Sequence, residues 1–578
     1  MVKDTDQMTA IRYHEATKHH FHRYARALGY LDWDNQPNLF RFYEGVTPIQ
    51  LPFAKEDPDA AYMDLYERSR NPTREFSREN LSGFLELSLG ISAWKSIPGT
   101  KWPLRMNPSS GNLHPTESYV ILKTNEAYDP GVYHYSPYLH ALEPRAIFSG
   151  ELSGQLQRQF QTQGFLFALT SIYWREAWKY GERAFRYSNH DIGHAIAAAS
   201  FAANLMGWKL AYLDEVSDEE ITKILGFHQI NWAQNEQEYP ELLAFVYPAS
   251  LAEIPAGLDL ELVQQISELS FQGRANLLSK THVDWEIIAE VAKTTAKPRP
   301  AGERCPPHKQ TLRSTALRSA SVELKAPQII RQRRSLLACD GVTSISKEAF
   351  LAMLDKTLPR EATAPFDFGL GPVRVHLLIF VHRVKDLSPG LYMFVRDEED
   401  LSGLRRSCRP QFLWNPIEKG FPPAKTGTSS SRERAGNMGF PLYLLAEGQV
   451  TGEATSVSCQ QAIAGEGAFS LGMIAKFRAP VEQSPFLYRH LFWETGMIGQ
   501  VLYLEAEAHG IRSTGIGCFF DDPVHDVMGL KDNEFQSLYH FTVGGPVEDG
   551  RLQTWPAYFH LQEGETGGGS VTAGASLK

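Results

Sequence analysis

The sequence predicts an α+β fold built twice: two tandem copies of a mixed, mainly antiparallel sheet flanked by helices, meeting as an intrachain pseudo-dimer. Three observations predict it. Phe185–Gly226 repeats without a gap in Tyr488–Gly529, with Arg186 on Arg489, Gly193 on Gly496, Gly207 on Gly510, Asp218 on Asp521 and Gly226 on Gly529. The β-rich and helical segments around that unit recur in the same order in both halves. A Pro-rich, basic stretch, Lys297–Pro307, separates the halves and reads as a semi-rigid linker. Self-similarity at one fixed offset is the mark of duplication.

In chain order, residues 1–60 precede the repeat and are expected to add a helical cap. The first domain spans 61–255. Its Ser77-Arg78-Glu79 reads as a helix start, and Ser346-Lys347-Glu348 answers it in the second half. Ser118–Leu122 and Val375–Val381 read as strands, each followed by a Gly-x-Tyr element, Gly131-Val132-Tyr133 and Gly390-Leu391-Tyr392. Each repeat unit reads as a long apolar helix, a Gly suited to a left-handed C-cap, a short extended segment and a short acidic-capped helix. Gly193, Ala195 and Ala197–Ala199 suit close helix–helix contact. Each half ends in a strand, Leu242–Tyr247 and Tyr539–Val543. Residues 256–325 are expected to hold a connecting helix and the linker, 326–562 the second domain, and 563–578 a disordered Gly/Ser-rich tail.

Composition narrows the function. At 578 residues the chain is too long for one ordinary domain, and 43% hydrophobic with 21% charged residues suits a globular protein. A net charge of -10 argues against nucleic acid as partner, because phosphate binding needs a basic face. No apolar run reaches the ~20 residues that span a bilayer. Met1–Arg23 is polar and lacks the apolar core of a signal peptide, so a cytoplasmic protein is expected. Five widely spaced cysteines, Cys305, Cys339, Cys408, Cys459 and Cys518, read as free thiols. His190 and His194 stand i,i+4 and could hold zinc, but no Glu follows His190 in the HExxH manner; no metal is expected.

The copies diverge in a complementary way. Only the first carries Pro108-Ser109-Ser110-Gly111-Asn112, a polar turn running into a strand; Gly111 permits φ > 0 and two hydroxyls and an amide are available to a ligand. The second has Pro365–Pro372 there instead. Only the second carries Gly515-Ile516-Gly517, where the first has Tyr212-Leu213-Asp214. Arg331-Gln332-Arg333-Arg334-Ser335 offers guanidinium forks suited to a phosphate. Lys179 stands in an i,i+4 row with Arg175 and Arg183, whose charges would lower its pKa unless Glu176 and Glu182 pair with them. Tyr180 points about 100° away from Lys179 on a helix, so both reach one ligand only if the helix unwinds at Gly181.

These motifs resemble the FMN-dependent nitroreductase superfamily. Trp178-Lys179-Tyr180-Gly181 with Arg183, Phe185, Arg186 and Gly193-His194 resembles its azoline (thiazoline or oxazoline) dehydrogenases. The resemblance implies a nitroreductase-like fold and an FMN cofactor. Pro108, Ser109, Ser110 and Asn112 would touch the flavin together with Gly515, Ile516 and Gly517, whose glycines would keep side chains off the ring. Arg331, Arg333, Arg334 and Ser335 would grip phosphate and ribityl, Arg551 would be a weaker second phosphate contact, and Lys179 and Tyr180 would act in catalysis. One complete site per chain is implied, shared by the two halves, so that a monomer suffices. The implied reaction oxidises an azoline to an azole in a peptide or small heterocycle, with modification enzymes as candidate partners. Two alternatives stand beside it: an NAD(P)H-dependent reductase of nitro compounds or quinones, and a flavin-free scaffold in a modification complex.

Overall fold

The computed structural model describes residues 4–68, 70–124, 127–251, 254–300, 324–417 and 440–562. The C-terminal tail and the second part of the linker lie outside them. Each half forms a seven-stranded sheet. The first runs Ile49–Gln50, Ala141–Ile147, Gly131–Ser136, Thr116–Leu122, Phe165–Ser171, Tyr239–Pro248, Trp208–Tyr212; the second runs Asn415–Pro416, Leu442–Glu447, Gly390–Phe394, Val375–Val381, Phe469–Lys476, Phe535–Gly544, Arg512–Ile516. Six strands follow the same order in both; the seventh, at the edge, comes from before the other strands in the first sheet and from between Gly390–Phe394 and Leu442–Glu447 in the second. Neighbouring strands in both sheets pair antiparallel; parallel pairing enters at isolated bridges such as Ser335 with Ser513. Central strands such as Thr116–Leu122 and Val375–Val381 are buried along their whole length, which explains their nearly unbroken apolar character.

The core helices Ala184–Leu205 and Leu487–Ala508 cross where their sequences have glycine. A Cβ on Gly193 would lie 2.2 Å from the Trp493 carbonyl oxygen, and one on Gly496 2.2 Å from that of His190. Any side chain there would push the helices apart. Both helices end as the sequence predicts, with Gly207 (φ 68) and Gly510 (φ 71) in the left-handed region. The start signals also hold: Ser77 and Ser346 cap helices Arg78–Leu89 and Lys347–Lys356.

The halves are tied by a symmetric pair of buried ion pairs. Arg186 reaches Asp521 at 2.8 Å, and Arg489 reaches Asp218 at 2.7 Å, each from the long helix of one half to the short acidic helix of the other. Segments are exchanged as well. Strand Gln553–Trp555 completes the hairpin Ile91–Ile97/Thr100–Arg105 of the first half, and helix Ala326–Gln332 buries Ala326, Ile329 and Ile330 in the first half's core.

Two expectations change. The N-terminal 60 residues are not a helical cap. One helix, Asp4–Ala16, is followed by irregular chain, and Ile49–Gln50 joins the first sheet as an edge strand. Pro37, Pro48, Pro52 and Pro58 deny that stretch a helix. The connection holds two short helices, Leu260–Ser267 and Glu286–Thr294, rather than one. Among the described residues no helix is long and apolar enough to cross a membrane.

Candidate functional site between the halves

A cavity of about 450 Å³ opens where the halves meet, within the range of small-molecule sites. The first half contributes Asn107–Asn112, His114, Tyr180, Tyr187, Asp191 and His194; the second contributes Arg333–Ser335, Tyr503, Arg512, Thr514–Cys518 and Tyr539.

The first-half loop is held from below. Gly111 (φ 57), Asn112 (φ 59) and His114 (φ 51) are left-handed, which bends the chain sharply. Ser109 Oγ accepts the His114 N–H at 2.8 Å; Asn112 Nδ2 donates to the Pro103 carbonyl at 3.0 Å. Ser110 donates both its N–H and its Oγ–H to Asp191. These hydroxyls and this amide therefore brace the loop rather than pointing freely at a ligand. Asp191 lies on the core helix Ala184–Leu205; burial pushes its carboxyl up to about 7, against the downward pull of the Ser109 and Ser110 hydrogen bonds. Sequence reasoning missed it, although an acid among small apolar helix residues was its visible signal.

The second-half wall is glycine because of protein neighbours. A Cβ on Gly515 would lie 1.8 Å from the Tyr539 hydroxyl, and one on Gly517 2.0 Å from the Tyr187 ring. Packing against two tyrosines that themselves line the cavity thus requires glycine here, beside the expected clearance for a flavin ring. The Gly515 N–H donates to Tyr503 Oη at 3.1 Å.

The basic run divides. Arg333 is buried, donates to the Arg105 and Met106 carbonyls and lies over the Tyr503 ring. Arg334 faces the cavity; burial, with Arg333 adjacent, pushes it down to about 10. Ser335 Oγ donates to Tyr503 Oη at 3.2 Å. Arg331 turns away to Asp57 and Glu86 and lines a separate small pocket. Helix Ala326–Gln332 ends between Arg331 and Arg333, so the two side chains leave in different directions. Arg551 is exposed and bound to Asp549 at 2.7 Å, away from the cavity; Arg512, unanticipated, lines it instead.

Helix Tyr173–Tyr180 ends at Gly181, whose φ of 55 breaks it where the sequence required. Lys179 and Tyr180 then converge: a Cβ on Gly111 would meet Tyr180 Oη at 2.6 Å and Lys179 Nζ at 3.1 Å. The charge row expected around Lys179 does not form. Arg175 pairs with Glu117 at 2.6 Å and donates to the His114 carbonyl; Arg183 pairs with Asp521 at 3.0 Å and donates to the Gly517 carbonyl. Each arginine braces one cavity wall. Glu182 pairs with Arg26, but Glu176 is buried with no hydrogen-bond partner for either oxygen among the described residues; burial, with Asp191 near, pushes its carboxyl well up.

His190 and His194 do not share a ligand site. His190 Nδ1 meets Thr495 Oγ1 at 2.9 Å and the ring stacks on Tyr539; His194 lines the cavity and burial pushes it down to about 3.

The Nitroreductase family model matches residues 71–233 and 330–545, one match in each half. A Methanocaldococcus jannaschii protein named as a nitroreductase is 28% identical over 142 residues, 24% of this chain and 66% of that protein's length. A crystal structure named as a nitroreductase from Anabaena variabilis superimposes with a TM-score of 0.65 at 20% identity, covering 93% of this chain and 99% of that one. That structure shares the two-copy fold along nearly the whole chain. With a family match in both halves, this chain belongs to the nitroreductase family.

Proposed function

We propose that the chain is an FMN-dependent dehydrogenase that oxidises an azoline ring to an azole in a peptide or related small heterocycle, with one cofactor per chain. The observation that carries this reading is the convergence of Lys179 and Tyr180 on Gly111; Gly111 and Tyr180 line the cavity shared by the halves, and Lys179 Nζ stands beside Gly111. The cavity's own residues fit FMN. Arg334 and Lys95, beside Arg512 held by Glu548 at 2.7 Å, form an end of the cavity suited to a phosphate. Farther in, Asn107 Oδ1, His114 Nδ1 and Arg333 Nε are buried without hydrogen-bond partners among the described residues, and such groups call for a polar ligand. Bound there, FMN supplies a two-electron acceptor for a ring hydride, with dioxygen as terminal oxidant.

The chain's own residues do the rest. Lys179 accepts the proton from the carbon beside the ring heteroatom. Burial, with Glu176 near, raises the Tyr180 phenol well above its ordinary value, so it stays protonated and donates a hydrogen bond to the substrate.

Three measurements test this. Incubation with a thiazoline-containing peptide should remove the mass of two hydrogens per ring, and Lys179→Ala should stop it. Rapid steady-state turnover of NADPH with a nitroarene would sink the dehydrogenase reading in favour of a reductase. Ser109→Ala and Gly515→Val, in opposite halves, should each weaken FMN binding to the same chain; an effect confined to the second half would refute the shared site.

A further inference from the structure

Cys459 and Cys518 lie with their sulfurs 2.6 Å apart, both as free thiols. They come from different elements. Cys518 follows Gly517 directly and lines the cavity; Cys459 stands in the turn after helix Thr451–Val457. That turn is bent by two consecutive left-handed residues, Cys459 (φ 53) and Gln460 (φ 58), which aim the Cys459 side chain at the cavity wall. The two segments are already fastened on both sides of the sulfurs. The Phe520 N–H donates to the Val457 carbonyl at 2.8 Å, and Gln461 Nε2 donates to the Cys518 carbonyl at 3.0 Å. Both cysteines are partly exposed, whereas Cys339 and Cys408 are buried.

We propose that Cys459 and Cys518 are an oxidisable pair that closes to a disulfide when a hydroperoxide enters the cavity, and that the bond fixes the Gly515–Cys518 wall. The inference does not depend on the cofactor or substrate proposed above. The Cys518 thiolate attacks the hydroperoxide, breaking the O–O bond, releasing an alcohol or water and leaving a sulfenic acid. The Cys459 thiol displaces the sulfenic oxygen as water. Two thiols lose two electrons and two protons in all, and the hydroperoxide takes them up. The environment assigns the roles. Contact with Cys459 lowers the Cys518 pKa against the cost of burial, Arg183 assists, and the same contact raises Cys459. Burial pushes Cys339 and Cys408 up to about 12, so they serve as internal controls.

The test uses full-length protein, reduced, desalted, treated with hydrogen peroxide, alkylated and mapped by mass spectrometry. Two thiols should be lost and recovered as one cross-link between the Cys459 and Cys518 peptides, reversed by dithiothreitol. Cys459→Ser and Cys518→Ser should each abolish it, with unchanged far-ultraviolet circular dichroism. Amide exchange at residues 515–519 should slow on oxidation. Recovery of both cysteines as separate alkylated or over-oxidised species would overturn the pairing. Unchanged exchange in a fully cross-linked sample would overturn the wall-fixing role.

Discussion

The cavity and its pseudo-symmetric mirror use one frame to opposite ends. At the cavity, Arg333 of the second half reaches the first-half loop at the Arg105 and Met106 carbonyls. At the mirror, Arg68 of the first half reaches the second-half loop, but there Asp367 meets it with two hydrogen bonds, 3.0 and 2.8 Å. An internal carboxylate thus takes the place where an anionic ligand would otherwise be needed. Tyr212 stands where Gly515 leaves room. Its ring stacks on Phe368 at 5.5 Å and packs edge-on against His490 and Trp493. Lys297, arriving from the linker, lies over the same ring. Whether a duplicated site stays a site or becomes core is decided by a few side chains at fixed positions, while the strands and helices around them are unchanged.

The ion pairs that tie the halves differ in the same sense, and mutation separates them. Asp521 serves Arg183 and Arg186 and also accepts the His19 N–H, whereas Asp218 serves Arg489, which has Glu241 as a second partner at 3.2 Å. Asp521→Asn leaves two buried guanidinium groups without a carboxylate and should cost about 3–5 kcal/mol in urea unfolding at neutral pH. Asp218→Asn should cost clearly less, because Glu241 remains. Equal losses would break the comparison and mean that the two ties are equivalent.

Charge beneath the sheets sharpens it further. In the first half His134, next after the Gly131-Val132-Tyr133 element, lies between Glu117 and Glu143 at 3.1 and 2.7 Å; the second half has Met393 in that place, after Gly390-Leu391-Tyr392. Burial alone would lower the His134 pKa, but its hydrogen bonds to the two carboxylates outweigh it and push the imidazole up to about 9. The folded value exceeds the unfolded 6.5, so this stabilisation is fully present below about pH 6.5 and is lost as pH rises through about 9. The change is worth roughly 3 kcal/mol at most. Thermal unfolding followed from pH 6.5 to 9.5 should show the decline, and His134→Met, which installs the second half's residue, should flatten it. A variant that keeps the full slope would remove His134 as its source.

Much of this was legible in the residues. Gly, Arg and Asp at punctuation positions marked the duplication, and the glycine C-caps and serine N-caps were read correctly because capping is local chemistry. Gly181 marked the break that lets Lys179 and Tyr180 converge. What escaped was set by tertiary direction. Asp191, Tyr187, Tyr503 and Tyr539 reach the cavity from buried helix and strand faces, and no local pattern distinguishes them from core. The packing of Gly515 and Gly517 against Tyr539 and Tyr187 escaped for the same cause: those neighbours are distant in sequence. Arg175 and Arg183 were correctly placed beside Lys179, but Glu117 and Asp521, from other elements, claim their charges.

The smallest expected effect concerns the basic residues. Arg551 and Arg334 are both arginines on the second half's approach to the cavity, yet their surroundings are opposite. Arg551 is exposed and already bound to Asp549, so a ligand in the cavity gains nothing from it. Arg334 lines the cavity and, among the described residues, donates from Nη1 to the carbonyls of Arg331 and Arg333, leaving guanidinium donors for a phosphate. A charge-assisted hydrogen bond to phosphate is worth about 1.5–3 kcal/mol, or about ten- to a hundredfold in affinity. Fluorescence titration should therefore show Arg334→Ala weakening FMN binding by at least about tenfold. Arg551→Ala should stay within about twofold, and so should Arg68→Ala, at the mirror, whose partner is Asp367. A large loss with Arg551→Ala would mean that the segment after Gly544 folds over the bound phosphate, and that the phosphate end of the cavity is wider than Arg334, Arg512 and Lys95.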